Sequence, residues 1–598
     1  MNCSSAMPVF AAIVGLFVAL QPAFGQLIPD SRRVEWAGNV GIPGGIPNRT
    51  TIYTTLSNLD KTGNTDVSGA IQTAINNCPV GQVVYLPAGI YRINNSIQIT
   101  KGVTLRGAGP NQTILRGSIS GRNGIVTITS GVLNGQAANI AITAGATKGS
   151  TNLTLASADS NIKPGFIILV DHLNDGSFVI NDASMPAGYQ RTDTDARGTG
   201  TRNNSQAVEV KSVNGNQLTI WPPLVWNFTR SPEVYYRRAV STATANYVTY
   251  AGIEDLCLNN VNPDTTSYYN LYFNRSAYCW ARNVRTENAA MAHITALNSF
   301  RLEIRHCTLS NSVNTASSYG YGIELDYQTC SSLVEDNIFI RTRDFIKVNA
   351  GAVGNAVLYN YHTNALANPA VPTFAVHSGG AHSAHPMMNL FEGNVTYKFV
   401  CDFYWGSSSH QTLARNWFRG PMAYAKQVGA ALQCDRAATY YNIVGNVLGQ
   451  PNINSNPNWT TRSTLRVSPQ TQAYEYHYAS LKIGYWSDSD PGGGYNANTQ
   501  WANYICGGNY DFVNGSRTWY NPTTAQTIPD SYYYTSKPAY FGNLQWPPID
   551  PAGPSYGETA IPAGYRHAYG VNPPSAPPTT NQPPVVAANA SPRTGVAP

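Results

Sequence analysis

The chain has 598 residues, more than one hydrophobic core usually organises, so a repeat architecture or several domains is expected. Only 12% of residues are charged, against 52 Gly and 37 Tyr, a balance that speaks for β-structure and a carbohydrate-facing surface over helical bundles. The formal charge is +6 with no basic run, so the electrostatic footprint of a nucleic-acid partner is missing.

Residues 1–25 read as a secretory signal. The apolar run 7–20 is too short to span a bilayer, and Ala23-Phe24-Gly25 places small residues at the cleavage site. No later stretch reaches transmembrane length, so an exported chain, extracellular or periplasmic, is expected. Eight cysteines then remain: Cys78, Cys257, Cys279, Cys307, Cys330, Cys401, Cys434 and Cys506. Export permits disulfides, while the near-coil spacing of Cys257, Cys279, Cys307 and Cys330 equally permits stacked thiols; both stay open. The absence of a CxxC pair argues against structural zinc.

In chain order, DVSGAIQTAINNC (66–78) predicts an amphipathic helix. Asp66 serves as N-cap, and Val67, Ala70, Ile71, Ala74, Ile75 and Cys78 form one face. Short strands follow at once (QVVYLPAGIYRI, SIQIT, GVTLRGAG, TILRG). A helix ahead of short strands is what the end of a solenoid needs, because the first coil otherwise exposes its core and its edge.

The run from Asp66 through VYLPAGIYRI to LRGAG resembles the opening of pectate-lyase-like proteins, in the rhamnogalacturonase and epimerase-like branch. The resemblance implies a right-handed parallel β-helix, exported by bacteria. It does not by itself fix an activity.

Residues 140–228 break the rhythm with antiparallel strands and Gly/Asn turns, so 140–245 is taken as a β-insertion. Its polar loop, with Asp193, Asp195 and Arg197, reads first as a solvated surface and second as an overhang on a groove. From Tyr247 to about 450 the coils recur every 20 to 35 residues. Recurrent Asn283, Asn337, Asn394, Asn416 and Asn446 predict an interior amide ladder. Glu335 and Glu392, inside the phrases EDN and EGN, are assigned to that repeat and not to catalysis. Residues 451–570, rich in Tyr and Trp, are expected to wrap the solenoid. Residues 571–598 are Pro-rich, and their end resembles the first strand of a polycystic-kidney-disease-type module. The expected organisation is thus all-β: signal 1–25, cap and first coils 26–139, insertion 140–245, main helix 246–450, wrap 451–570, and linker 571–598.

The chemistry is sought on the outward faces of successive strands. In YGIELDY, Ile323 and Leu325 point in, which leaves Glu324 and Asp326 outside. Lys347 and Asn349 follow from FIKVNAG, His377 from FAVHSGG, and Asp402 with Tyr404 from VCDFYWG. Residues i and i+2 on a strand lie roughly 6.6 Å apart, near the ~6.5–9.5 Å that separates the carboxyls of inverting glycosidases. The Glu-x-Asp pair is also similar to the arrangement in the β-helical iota-carrageenases. The expected enzyme is a glycoside hydrolase with Glu324 as acid and Asp326 as base, needing no cofactor. Lys347, His377, Asp402, Tyr404, His385 and His410 bind substrate, and no metal ligand is assigned. Two alternatives remain. One is a polysaccharide lyase with Lys347 as base and calcium on the acidic residues; the other is a binding module that cuts nothing. The expected partner in each case is a polysaccharide, engaged by a monomer away from nucleic acid and membrane.

Overall fold

The computed structural model describes residues 27–130, 137–180, 195–237, 246–263, 268–316, 319–366, 379–420, 429–457, 461–467, 477–485, 497–520, 527–552 and 556–575. The predicted signal, Asp193, His377 and the end of the Pro-rich segment lie outside them.

The chain folds as a right-handed parallel β-helix. One ladder of eleven strands runs along it, and the strands of the remaining faces join in a 22-stranded sheet that is parallel except for its last hairpin, Ile505–Asp511 with Ser516–Trp519. A representative coil runs Tyr321–Asp326, Leu333–Glu335 and Ile338–Ile340 before Asp344–Asn349 starts the next. The ladders continue past residue 450. His477–Tyr485 extends the eleven-stranded sheet, and Ile505–Asp511 extends the other. The parallel pairing stacks inward side chains into continuous apolar columns, one of them Ala296, Leu325, Val348 and Ala381.

The helix spans Ser68–Asn77 and buries Ile71, Ala74 and Ile75 over the first coil. Asp66 lies one residue before the N-cap, where its carboxylate accepts from the Ser68 N–H at 3.1 Å. Ala70 is exposed, so the buried face is narrower than expected.

The repeating phrase has a definite geometry. Between the two short strands of each coil stands one residue in the left-handed region: Asn283, His306, Asp336, Tyr359, Gly393, Arg415, Gly445 and Gly508. The residue after it fills an interior slot. From Asn337 onward that slot holds Asn360, Asn394, Asn416, Asn446 and Asn509, each amide bonded to the next coil, as Asn394 Nδ2 is to Asn416 Oδ1 at 2.9 Å. Four of the five expected ladder residues are in place. Asn283 is not: it occupies the left-handed position, with Val284 in the slot, and bonds Asp255 at 2.7 Å. A second ladder, Asn355, Asn389 and Gln411, lines another corner.

The insertion closes into a six-stranded barrel from Ala137–Ala144 to Glu233–Arg237 with its own core. It packs on the corner row through Ile167, Ala207, Cys330 and Met387. Asp195 accepts backbone N–H groups of its own loop, and Arg197 pairs with Asp171 at 2.8 Å and Glu233 at 2.6 Å. Both serve the barrel and do not overhang a groove. The eight cysteines are free and buried; Cys401 and Cys434, register partners, have sulfurs 3.9 Å apart. The four cysteines at near-coil spacing do not stack on one another: Cys257 pairs with Arg285, Cys307 adjoins Asn337, and Cys330 pairs with Phe300 and Val353.

Two segments bind the outside. Residues 27–46 run along the corners: Trp36 Nε1 donates to the Met388 carbonyl, and Arg32 reaches the Tyr441 carbonyl. The aromatic-rich segment covers the other flank. Ser531 and the Tyr532 N–H hold Glu392, and the hydroxyls of Tyr534 and Tyr540 hold Glu335. These two glutamates are structural, as expected.

Candidate active site

The eleven-stranded sheet presents the outward residues. Register places Thr295, Glu324, Lys347, Gly380, Val400 and Gln433 in one file. The neighbouring file runs Leu297, Asp326, then, one position along their strands, Asn349 beside His382. Asp402 follows the strand Phe399–Cys401, whose Cys401 pairs with Ala381, so it stands beside His382 and not beside Glu324.

This corrects the expected register. The strand after Asp344–Asn349 is Gly379–His382, not FAVH. Its glycines are required by close approach. A Cβ on Gly380 would stand 1.8 Å from the Val400 carbonyl oxygen, and one on Gly379 would stand 2.3 Å from the Phe345 ring. His377 lies outside the described residues, and His382 holds the position assigned to it. His385 and His410 leave the groove altogether. Both are buried in the corner under the barrel, where Phe178 lies 5.6 and 5.8 Å from their rings and Trp226 lies 4.8 Å from His410. Burial lowers the His385 pKa to about 3 and holds His410 well below its ordinary value. Their hydrogen bonds go to Ser407 and Ser409, so they are packing residues and not substrate ligands.

Glu324, only 3% exposed, accepts from Thr295 at 3.5 Å and from the Asn349 side chain, and faces Lys347. Burial raises its pKa, while Lys347 and Asn349 oppose the rise. Asp326 is pushed well above the usual carboxylate range, first by burial and then by the charge of Glu324. Both carboxyls are thus raised, and the charge of Glu324 opposes ionisation of Asp326.

Lys347 donates to the Tyr321 hydroxyl at 3.0 Å, and Arg343 donates to the same oxygen at 3.0 Å. Burial pulls the Lys347 pKa down, but Tyr321, Glu324 and Asp402 outweigh it and raise it above normal. Asp344, beneath Arg343, is raised by burial to about 6. On one side of the acid pair Tyr269 and Tyr272 stack at 5.0 Å and form an apolar wall with Tyr321. On the other, His382 Nδ1 lies 2.7 Å from Asp402. The His382 ring lies parallel to Tyr404 at 6.2 Å, and Tyr404 is 38% exposed.

The structure thus brings Glu324, Asp326, Lys347, Asp402 and Tyr404 to one sheet, together with His382 of the imidazole cluster and with Tyr321, Arg343 and Asp344, which sequence reasoning did not single out. Among the described residues no three acidic, thiol or imidazole groups converge as metal ligands. A depression of about 580 Å³ lies elsewhere, at the row of left-handed turns, lined by Asp255, Arg282, Arg305, His306 and Asp336 among others. Its arginines are tied to buried carboxylates, Arg282 to Glu254 at 3.1 Å and Arg305 to Glu335 at 2.6 Å. Glu324 and Asp326, with His382 and Asp402, lie on the other sheet.

The chain is a parallel β-helix protein with a file of ionisable groups on one sheet. Residues 55–210 match the family model described as rhamnogalacturonase A/epimerase, pectate lyase-like, the branch that the N-terminal run resembles. No curated protein matches the sequence. Among solved structures, tailspike gp61 of Pseudomonas phage phi297 is 13% identical with a TM-score of 0.47, and the match covers 74% of this chain and 62% of that one. The chain thus spans less than two thirds of that tailspike. Tailspike gp49 of Pseudomonas phage LKA1 is 15% identical with a TM-score of 0.41, covering 70% and 69%. An alginate lyase from Paenibacillus sp. str. FPU-7 is 9% identical with a TM-score of 0.34, covering 69% and 97%. No described helix is long and apolar enough to cross a membrane.

Proposed function

We propose that the protein is an exported glycoside hydrolase that cleaves a polysaccharide lying along the eleven-stranded sheet, with Asp326 as the proton donor. The carrying observation is the pair of carboxyls on one strand face, Glu324 and Asp326, where burial and then the charge of Glu324 push the Asp326 pKa well above the ordinary range. Such a carboxyl can protonate a leaving oxygen near neutral pH. The tyrosine wall of Tyr269, Tyr272 and Tyr321 offers ring faces beside it, suited to the apolar faces of sugars.

The lyase alternative asks Lys347 to take a proton. Lys347 is held protonated by Tyr321, Glu324 and Asp402, which disfavours it as a base and suits it to orienting substrate. The pure binding reading leaves a costly buried acid pair without a task.

The test is a panel of polygalacturonate, rhamnogalacturonan, alginate, carrageenan and xylan, read for new reducing ends and for ultraviolet absorbance of unsaturated product. Reducing ends without unsaturation are expected. Unsaturated product would establish a lyase instead, and no cleavage at all would leave a binding protein.

A further inference from the structure

We propose that the base of this groove is His382, positioned by Asp402, and that Glu324 is a positioning residue; this rests on the hydrolytic reading above. Asp326, Asn349 and His382 occupy one outward file on consecutive coils. Coils repeat at about 4.8 Å, so the imidazole lies roughly 9.6 Å along the file from Asp326. That lies just past the wide end of the ~6.5–9.5 Å window in which an acid and a base leave room for water, within reach of side-chain rotation.

Occupancy separates the two candidate bases. Glu324 is nearly sealed and already engaged by Thr295, Asn349 and Lys347. The His382 and Asp402 side chains are 15% and 20% exposed. Both Asp402 oxygens lie within 2.8 Å of His382 Nδ1, which fixes the tautomer with the proton on Nδ1 and the lone pair on Nε2. Among the described residues Nε2 has no hydrogen-bond partner. The groups facing the ring are Asp402, which favours the imidazolium, and Lys347 and Arg343, which oppose it. Burial adds to the opposition, so the resting ring is neutral.

The step then balances. A water O–H gives its proton to His382 Nε2 while its oxygen bonds the anomeric carbon. The glycosidic C–O bond breaks, and the Asp326 proton passes to the leaving oxygen. Asp402 stabilises the imidazolium until the proton returns to solvent. Because water attacks opposite the leaving group, the configuration inverts.

The test uses the full chain on whichever panel polysaccharide the wild type cleaves. His382→Ala is expected to lose about 10²–10⁴-fold in kcat, and sodium azide, which needs no base, is expected to restore turnover as a glycosyl azide of inverted configuration. Asp402→Asn is expected to move the acidic limb of kcat/KM to lower pH, whereas Glu324→Gln leaves that limb in place. His382→Gln and a melting curve check that the coil still folds. The proposal falls if folded His382→Ala keeps its rate and acidic limb, or if it loses its rate and azide restores nothing. Full activity in Asp326→Asn, or no cleavage by the wild type, overturns the hydrolytic reading itself.

Discussion

Glu324 and Lys347 are register partners on adjacent coils, and the Lys347 ammonium, whose charge lowers the Glu324 pKa against burial, is anchored on the Tyr321 hydroxyl at 3.0 Å. Removing one partner strands the other in a nearly sealed site. Lys347→Met should therefore destabilise the fold near neutral pH, by less than the ~3–5 kcal/mol of a broken buried ion pair, and Lys347→Met with Glu324→Gln should recover part of the loss. Thermal unfolding of the two single variants and the double variant measures the coupling. Additive losses would show that the two charges do not depend on each other.

The Asp326 pKa is raised in the folded state. A raised value means that stability is fully present below the unfolded pKa, near 3.9, and is lost as pH rises through the folded value. Asp326→Asn removes that liability. The variant should be inactive yet more stable than wild type at pH about 8. The gain is about 1.4 kcal/mol for each tenfold by which folding tightens the carboxyl's hold on its proton, and it vanishes near pH about 4. Melting curves at the two pH values decide it; equal stability at both would contradict the raised pKa.

The amide ladder separates residues that look alike in sequence. Asn394 donates to the Val357 carbonyl and to Asn416, and accepts from the Asn360 N–H and side chain. Asn394→Ala strands several buried groups at about 1–3 kcal/mol each. Asn283, at a left-handed turn with one side-chain bond to Asp255, should cost much less on conversion to Gly. Urea unfolding of both variants should show the gap.

Glu335 and Glu392 sit in the most regular phrases of the chain and hold the aromatic-rich segment down. Glu335→Gln and Glu392→Gln should keep activity while exposing residues 531–540 to protease. Loss of turnover in a folded Glu335→Gln would move the chemistry to the other flank of the solenoid.

Much of this was legible because a repeat states its rule several times. Inward alternation at Ile323 and Leu325 fixed the faces of their strand, and the phrase ending in Asn marked the ladder. The misreading of Asn283 shows the limit: the left-handed position and the interior slot are adjacent, and both favour Asn for different reasons. The strand at His382 was hidden because Gly-Gly-Ala has low strand propensity and FAVH has high. Its place is decided by the Phe345 ring and the Val400 carbonyl on neighbouring coils, which local pattern cannot supply. Tyr321 failed for a related reason. It points outward although Ile323 points in, because Gly322, where a Cβ would stand 2.4 Å from the Phe339 ring, takes the inner place between them.

The segment 27–46 has a consequence in time. Arg32 bonds the carbonyl of Tyr441, 409 residues later, while Ile42 bonds Glu303, 261 residues on. At about 5–20 residues per second, the chain is made for tens of seconds before the last of these partners exists. The earliest residues of the described fold are thus among the last to find their partners.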